Sequence, residues 1–375
     1  MGGHHQRRAM KDGLDSVAIR RLAGNLKRAH TDFDVGGFVR LALTGLEGLE
    51  LKARVAHVAA AMKPYLQSDP KEAIAGILHA VPEWDRGPAD DSLRGFATWP
   101  VFVFVETVGL ALGEFGLRAL GQLTHLFSAE FAIRSFVKKN TESSMAVVNE
   151  WASHPDEQVR RLASEGIRPR LPWAGKLTQF VQDPTPVIEV LDKLIDDESL
   201  YVRRSVANNL SDIAADHPDL AVATCERWLK TPTAERRWIA KRATRNLIKS
   251  GHAGVWGLHG FTETPLVDVL ELRVTPASVA MDEKFSIDFE LRSKASVAQR
   301  LVVDFVVHHV KAGGKSSAKV FKLCELALGA GERVQLQKAH AFRTITTRRY
   351  YPGAHRIEIQ VNGKRYAEAH IELDM

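Results

Sequence analysis

The pattern of hydrophobic and polar positions changes once along the chain, near residue 262. Before that point, apolar residues mostly recur every three or four positions. In "LKARVAHVAAAMKPYL" (Leu51 to Leu66) this spacing predicts an amphipathic helix that ends near Pro64. The next helix is predicted to start with Asp69 as its N-cap and Pro70 as its first helical residue.

The most apolar window runs from Trp99 to Leu117 and is interrupted by Glu106 and Glu114. A membrane-spanning helix needs about 20 apolar residues, so we expect a buried core helix here. Gly109 and Gly113 are predicted to be positions of close packing.

After Pro265 the hydrophobic period becomes two, which predicts strands. Asn362-Gly363 stands between two alternating runs and indicates a hairpin turn. The strand segments are "VDVLELRV", "KFSIDFELRS", "RLVVDFVVHHV", "AKVFKLCELAL", "RVQLQKAHAF", "HRIEIQV" and "YAEAHIEL". About seven strands within residues 263–375 favour an immunoglobulin-like sandwich over a small barrel.

The helical part contains a repeat. "VRRLASEGI" begins at Val159, "VRRSVANNL" at Val202 and "IAKRATRNL" at Ile239, with spacings of 43 and 37 residues. This period is typical of HEAT-like helical pairs, which stack into a solenoid. Three unrelated basic helices are the alternative.

These patterns predict a HEAT-like α-helical solenoid followed by an immunoglobulin-like β-sandwich. We expect a flexible tail over residues 1–10, the helical domain over 11–262 and the sandwich over 263–375.

Composition narrows the class of protein. The chain has 375 residues, of which 45% are hydrophobic and 26% are charged, as in ordinary globular proteins. Its two cysteines, Cys225 and Cys324, are far apart, which argues against a disulfide framework or a zinc site and favours a reducing cytoplasm. The basic start has no apolar stretch behind it, so we expect neither a signal peptide nor membrane attachment.

Basic residues cluster locally although the net charge is only +6. Between Glu226 and Lys249 there are eight basic and two acidic residues, with Trp228 and Trp238 among them. Residues at helical spacing in the three repeats would line one groove suited to phosphates, namely Arg161, Arg204, Asn208, Lys241 and Arg245. A solvated helix face is the alternative.

Three carboxylates stand out against this basic background: Glu130, Glu165 and Asp212. Because carboxylates repel phosphate, they indicate that a cation is held there. Hydrolysis of an N-glycosidic bond passes through such a cation, and Trp173 is suited to stack on a base. The alternative is structural. Glu130 and Glu165 would pair with Arg134 and Arg161, and Trp173 would pack under the following loop.

Sequence motifs of other enzyme classes, such as GxSxG and HExxH, are absent.

At these residues the sequence resembles the AlkC family of bacterial DNA alkylation repair glycosylases. The resemblance covers residues 10–260 and rests on "GFATWPVFVFVETVGL", "SAEFAIRSF", "VRRLASEGIRPRLPW" and "YVRRSVANNLSDIAADHP". Some AlkC proteins also carry a C-terminal immunoglobulin-like domain. Ser135 and Ser211 depart from the family pattern, where proline and asparagine are expected.

The resemblance implies a monofunctional glycosylase that removes 3-methyladenine and 3-methylcytosine from double-stranded DNA without full base flipping. It implies no metal or organic cofactor. It assigns Glu130, Glu165 and Asp212 as active-site carboxylates and Trp173 as the lesion contact. We expect a monomer. A non-enzymatic DNA-binding or scaffold solenoid is the alternative, and a protein-protein adaptor is the third hypothesis.

Overall fold

The computed structural model describes residues 9–91, 93–345 and 348–375. The chain folds into two compact units, one ending at Asp212 and the other beginning at Ile213. Most of the predicted N-terminal tail, residues 1–8, lies outside the described residues. Met10 begins a short 3-10 helix, Met10–Gly13.

The first part of the chain is helical, as predicted. The described residues form sixteen α-helices: α1 Ser16–Ala29, α2 Val35–Leu43, α3 Leu51–Met62, α4 Pro70–His79, α5 Trp99–Gly109, α6 Glu114–Leu123, α7 Ile133–Lys139, α8 Thr141–Trp151, α9 Glu157–Glu165, α10 Thr178–Gln182, α11 Thr185–Leu194, α12 Leu200–Ile213, α13 Pro218–Leu229, α14 Ala234–Ala243, α15 Arg245–Ser250 and α16 Val255–Leu258.

Local sequence signals account for the bounds of two helices. Helix α3 ends at Met62 and continues as a 3-10 turn through Pro64, because proline supplies no N–H to an α-helical bond. At the start of α4, the Asp69 carboxylate accepts hydrogen bonds from the backbone N–H groups of Lys71 and Glu72. The predicted N-cap is therefore confirmed.

The apolar window from Trp99 to Leu117 differs from its prediction. The chain breaks it at Gly113, which has a φ of 57°, so two helices replace the single expected one. Gly109 is a close-packing position, since a Cβ there would lie 3.2 Å from the Cα of Gly116. Gly113 is instead a turn glycine, because a Cβ there would meet nothing within 4 Å. No helix of the described part of the chain is long and apolar enough to cross a bilayer.

Eight strands follow in the described residues: β1 Val267–Thr275, β2 Ser278–Ala280, β3 Lys284–Ser293, β4 Gln299–Val310, β5 Ser316–Leu328, β6 Arg333–Ala341, β7 Gly353–Val361 and β8 Lys364–Asp374. All seven predicted strands are present, and only the short β2 was missed. Asn362 and Gly363 form the predicted turn between β7 and β8, with φ angles of 42° and 77°.

The strands form two sheets, in the orders β1-β3-β6 and β2-β8-β7-β4-β5. Pairing is antiparallel except between β2 and β8. Alternate side chains of β3, such as Phe285, Ile287 and Phe289, join buried residues of β4 and β7 in one core. A sandwich with an apolar interior is the result.

Candidate active site

A chain of ion pairs joins three carboxylates and two arginines in the first unit. Glu165 is the last residue of α9, Glu130 lies in the turn before α7, and Asp212 lies near the end of α12. The three predicted carboxylates are therefore linked, although 35 and 47 positions separate them in the sequence. Their common partners are Arg161 of α9 and Arg168 in the turn that follows it.

Arg168 connects two of the carboxylates. Its Nη1 donates to Glu165 Oε1 at 2.6 Å, while its Nε and Nη2 donate to the two oxygens of Asp212 at 2.8 and 3.0 Å. Burial by itself lowers the pKa of Arg168, but hydrogen bonds to Asp212 and the charge of Glu165 raise it above its ordinary value. The guanidinium is therefore charged, and its planar fork fixes the orientation of Asp212.

Arg161 connects the third carboxylate. Its Nη1 donates to Glu130 and, at 2.7 Å, to Ser128 Oγ, while its Nη2 lies 3.7 Å from Glu165 Oε1. The guanidinium also lies 5.0 Å from the ring centroid of Tyr201. Burial lowers the pKa of Arg161, but Glu130 and Glu165 outweigh that effect, and the net shift is upward. The residue predicted to grip phosphate is thus engaged with the acidic set.

The three carboxylates differ in the oxygens they leave open. Ser205 Oγ donates to Glu165 Oε2 at 2.6 Å, so both oxygens of that buried side chain have partners. Both oxygens of Asp212 accept from Arg168, and burial raises the pKa of Asp212 even though Arg168 opposes this. Glu130 Oε2 accepts from Ser128 and Arg161, whereas Glu130 Oε1 accepts no hydrogen bond from the described residues.

Arg134 is placed differently from its prediction. It was expected to pair with Glu130, but it donates to the backbone carbonyls of Gly166, Arg168 and Gly175. Burial lowers the pKa of Arg134 to about 10, so the group is still charged at neutral pH. The structural alternative for Glu130 was therefore wrong about its partner, which is Arg161.

Trp173 follows the turn that carries Arg168, and it is not packed under the next loop. Its side chain is 58% exposed, its φ is 66°, and its carbonyl accepts a hydrogen bond from Lys52. Trp173 lines a cavity of about 290 Å³ together with Trp99, Phe131 and Glu106. Burial raises the pKa of Glu106, which the sequence had indicated only as an interruption of an apolar run.

The other predicted DNA-binding residues occupy two units. Arg204 is exposed and Asn208 is half-buried, both on α12. In the second unit, Lys241 forms an ion pair with Glu325 at 2.8 Å, and Arg245 donates to the carbonyl of Arg242. One groove shared by all three repeats therefore stays a prediction.

Sequence reasoning missed three partners of the acidic residues. Arg168, Ser128 and Ser205 complete the cluster. Ser128 lies two residues before Glu130 and Ser205 lies 40 residues after Glu165, and a single serine carries no signal of its own at either separation. The spacing of Arg168 three residues after Glu165 was the available signal, because such residues are neighbours on a helical turn.

Comparisons with known proteins extend these findings. Residues 268–375 match the family described as the C-terminal Ig-like domain of YhaZ. The protein YhaZ of Bacillus subtilis is 32% identical over 357 residues, which span 95% of this chain and 96% of YhaZ.

A solved structure resembles the whole chain. It is the alkylpurine DNA glycosylase AlkC of Pseudomonas fluorescens bound to DNA containing an abasic site analog. The two chains are 35% identical with a TM-score of 0.90, and the match covers 98% of this chain and 100% of that one. The predicted fold class, a HEAT-like solenoid followed by an immunoglobulin-like sandwich, is confirmed.

Proposed function

Because the chain belongs to the AlkC family, which includes YhaZ, we propose that it is a DNA glycosylase for alkylated bases. Its substrates are cationic bases in duplex DNA, 3-methyladenine and 3-methylcytosine, and its product begins base excision repair. Excision takes place without full base flipping. The protein acts as a monofunctional hydrolase and as a monomer.

The observation that carries this proposal is the ratio of charges in the acidic cluster. Glu130, Glu165 and Asp212 share two ion-paired guanidinium groups, Arg161 and Arg168. Three carboxylates beside DNA weaken phosphate binding, and their burial costs free energy. A cationic lesion and the developing oxocarbenium ion are attracted to this cluster, so the arrangement stabilises the transition state for excision.

The chemistry needs no strong general acid. When the C1′–N bond breaks, its electron pair stays with the base, and the base leaves uncharged. The sugar carries the positive charge until water adds to C1′ and gives up a proton. We place this water at Glu130, because Oε1 of that side chain is open, and we place Glu165 and Asp212 beside the sugar cation.

The remaining site residues bind DNA in this proposal. Trp173 contacts the lesion, since an exposed indole five residues after Arg168 is suited to stack on a base. Arg204, Asn208, Lys241 and Arg245 contact the backbone, and Arg161 orients Glu130 while lying close to the strand. The sandwich adds basic residues such as Arg343 and Arg349, so deletion of residues 264–375 should weaken DNA binding.

Base release tests the function. Methylated duplex DNA is incubated with the wild type or with a Glu165→Gln/Asp212→Asn double variant, and free bases are separated by chromatography. We expect release of 3-methyladenine or 3-methylcytosine by the wild type, and a rate at least ~100-fold lower for the variant. Glu358→Gln is the matched control, because Glu358 is a buried carboxylate paired with arginines in the second unit.

Two results would contradict the proposal. Equal release by wild type and double variant would show that Glu165 and Asp212 take no part in excision. No release by the wild type, with DNA binding that weakens steeply with salt, would support the non-enzymatic DNA-binding solenoid.

A further inference from the structure

We propose that Arg134 is a positioning residue for the reaction: its guanidinium clamps both ends of the segment 166–175, which carries Arg168 and Trp173. This inference rests on the proposed function. The clamp consists of hydrogen bonds from Nη1 to the carbonyls of Gly166 and Arg168 at 3.0 and 2.7 Å, and from Nη2 to the carbonyl of Gly175 at 2.6 Å.

The clamp acts on the acidic site through the backbone of Arg168. The same residue whose carbonyl accepts from Arg134 directs its own side chain to Glu165 and Asp212. A shift of this backbone therefore moves the group that orients two of the three carboxylates. Misplacement by about 1 Å costs an enzyme as much as 100-fold in rate.

The far end of the segment holds Trp173. Its backbone has a φ of 66°, a conformation that residues other than glycine adopt at a cost in free energy. The carbonyl of Trp173 accepts from Lys52, and that of Gly175, two residues on, accepts from Arg134. Two cationic side chains from α3 and α7 thus hold the exposed indole in a conformation that the free segment would leave.

Packing alone gives no reason for an arginine here. The Arg134 side chain is 4% exposed, it has no carboxylate partner among the described residues, and its Nε–H is buried without an acceptor. Burial of a charge is unfavourable unless its hydrogen bonds satisfy it. At this position the charge gains hydrogen bonds to three carbonyls of the segment 166–175.

Arg54 supplies a matched control in the same unit. It is 7% exposed and donates to three carbonyls, those of Leu49, Lys11 and Glu47, at 2.8 to 3.0 Å. None of these carbonyls belongs to a residue of the acidic cluster. Removal of either arginine thus costs a comparable set of hydrogen bonds, but only one removal should disturb the site.

The test compares Arg134→Ala with Arg54→Ala in the full chain. We expect single-turnover excision by Arg134→Ala to fall roughly 100-fold while DNA affinity changes less than about 3-fold, since the clamp acts on the reacting geometry. Added guanidinium ion should restore part of the rate, because the substitution leaves a cavity of its shape. Arg54→Ala should keep the wild-type rate. Equal loss of rate in both variants, or no rescue, would overturn the proposal.

A second readout is independent of catalysis. The emission of Trp173 is isolated as the difference between each protein and its Trp173→Phe counterpart, and its quenching by iodide is measured. Arg134→Ala should change the quenching of Trp173, and Arg54→Ala should not. An unchanged signal in Arg134→Ala would overturn the clamp whether or not the wild type releases bases, whereas a changed signal without base release would contradict only the proposed function.

Discussion

Two of the networks of carboxylates and arginines in the described residues, one in each unit, differ in their balance of charge. In the first unit, three carboxylates share Arg161 and Arg168, whose side chains are 14% and 9% exposed. In the sandwich, Glu358 and Glu368 share Arg356 and Arg365, which are 40% and 41% exposed. There two carboxylates face two arginines, and the arginines are partly hydrated although Glu358 is buried.

The difference indicates what each network does. A balanced network whose arginines are partly exposed contributes little stability and needs no functional explanation. A buried network with more carboxylates than paired arginines is costly, and Arg134, the further cation nearby, is directed to carbonyls. Such departures from good packing are expected at functional sites.

The largest effect on stability should come from removing an arginine of the buried network, with the same substitution in the sandwich network as its comparison. We expect Arg168→Met to lower the free energy of unfolding by about 3–5 kcal/mol, because Asp212 loses its ion-pair partner and Glu165 loses its nearer one in a buried place. Arg356→Met should cost less than about 1 kcal/mol. Urea denaturation of both variants measures this, and equal costs would remove the contrast between the networks.

A pH effect of intermediate size on stability should come from a buried carboxylate of the sandwich that lies outside both networks. Asp304 on β4 is 2% exposed and has no ion pair among the described residues, and burial raises its pKa from 3.8 to about 6. The folded state thus binds the proton more tightly than the unfolded state. The resulting stability is fully present below pH 3.8 and is lost as the pH rises through about 6.

Asp304→Asn cannot undergo this loss. The unfolding free energy of the variant, relative to wild type, should therefore rise by about 3 kcal/mol between pH 3.5 and pH 7.5. Denaturation curves of the two proteins at several pH values test this. A constant difference across the range would show that Asp304 ionises with its ordinary pKa.

The smallest effect on stability should come from Trp173→Gly. The side chain is exposed and φ is positive, so the unfolding free energy should stay the same or rise by up to about 1 kcal/mol. Excision should nevertheless fall by roughly 10-fold, as expected for loss of one base-stacking contact. A large loss of stability with unchanged excision would make Trp173 a structural residue.

Much of the fold could be predicted because its signals are local. The limits of β3, the N-cap at Asp69 and the turn at Asn362-Gly363 all follow from a few neighbouring residues. The break at Gly113 was missed, since the apolar run continues on both sides and only the backbone conformation separates the helices. The short β2 was missed because three residues show no clear period.

For the site, the sequence by itself determined which carboxylates stand out against the basic background and where the indole follows Glu165. Only the tertiary structure decided the partners. Arg168 and Asp212 are 44 residues apart, and Arg134 turned from the expected Glu130 to three carbonyls. Helical spacing specifies neighbours within a few residues, whereas pairing across such separations depends on how helices pack, and the energy of a buried charge depends steeply on the atoms within a few ångströms.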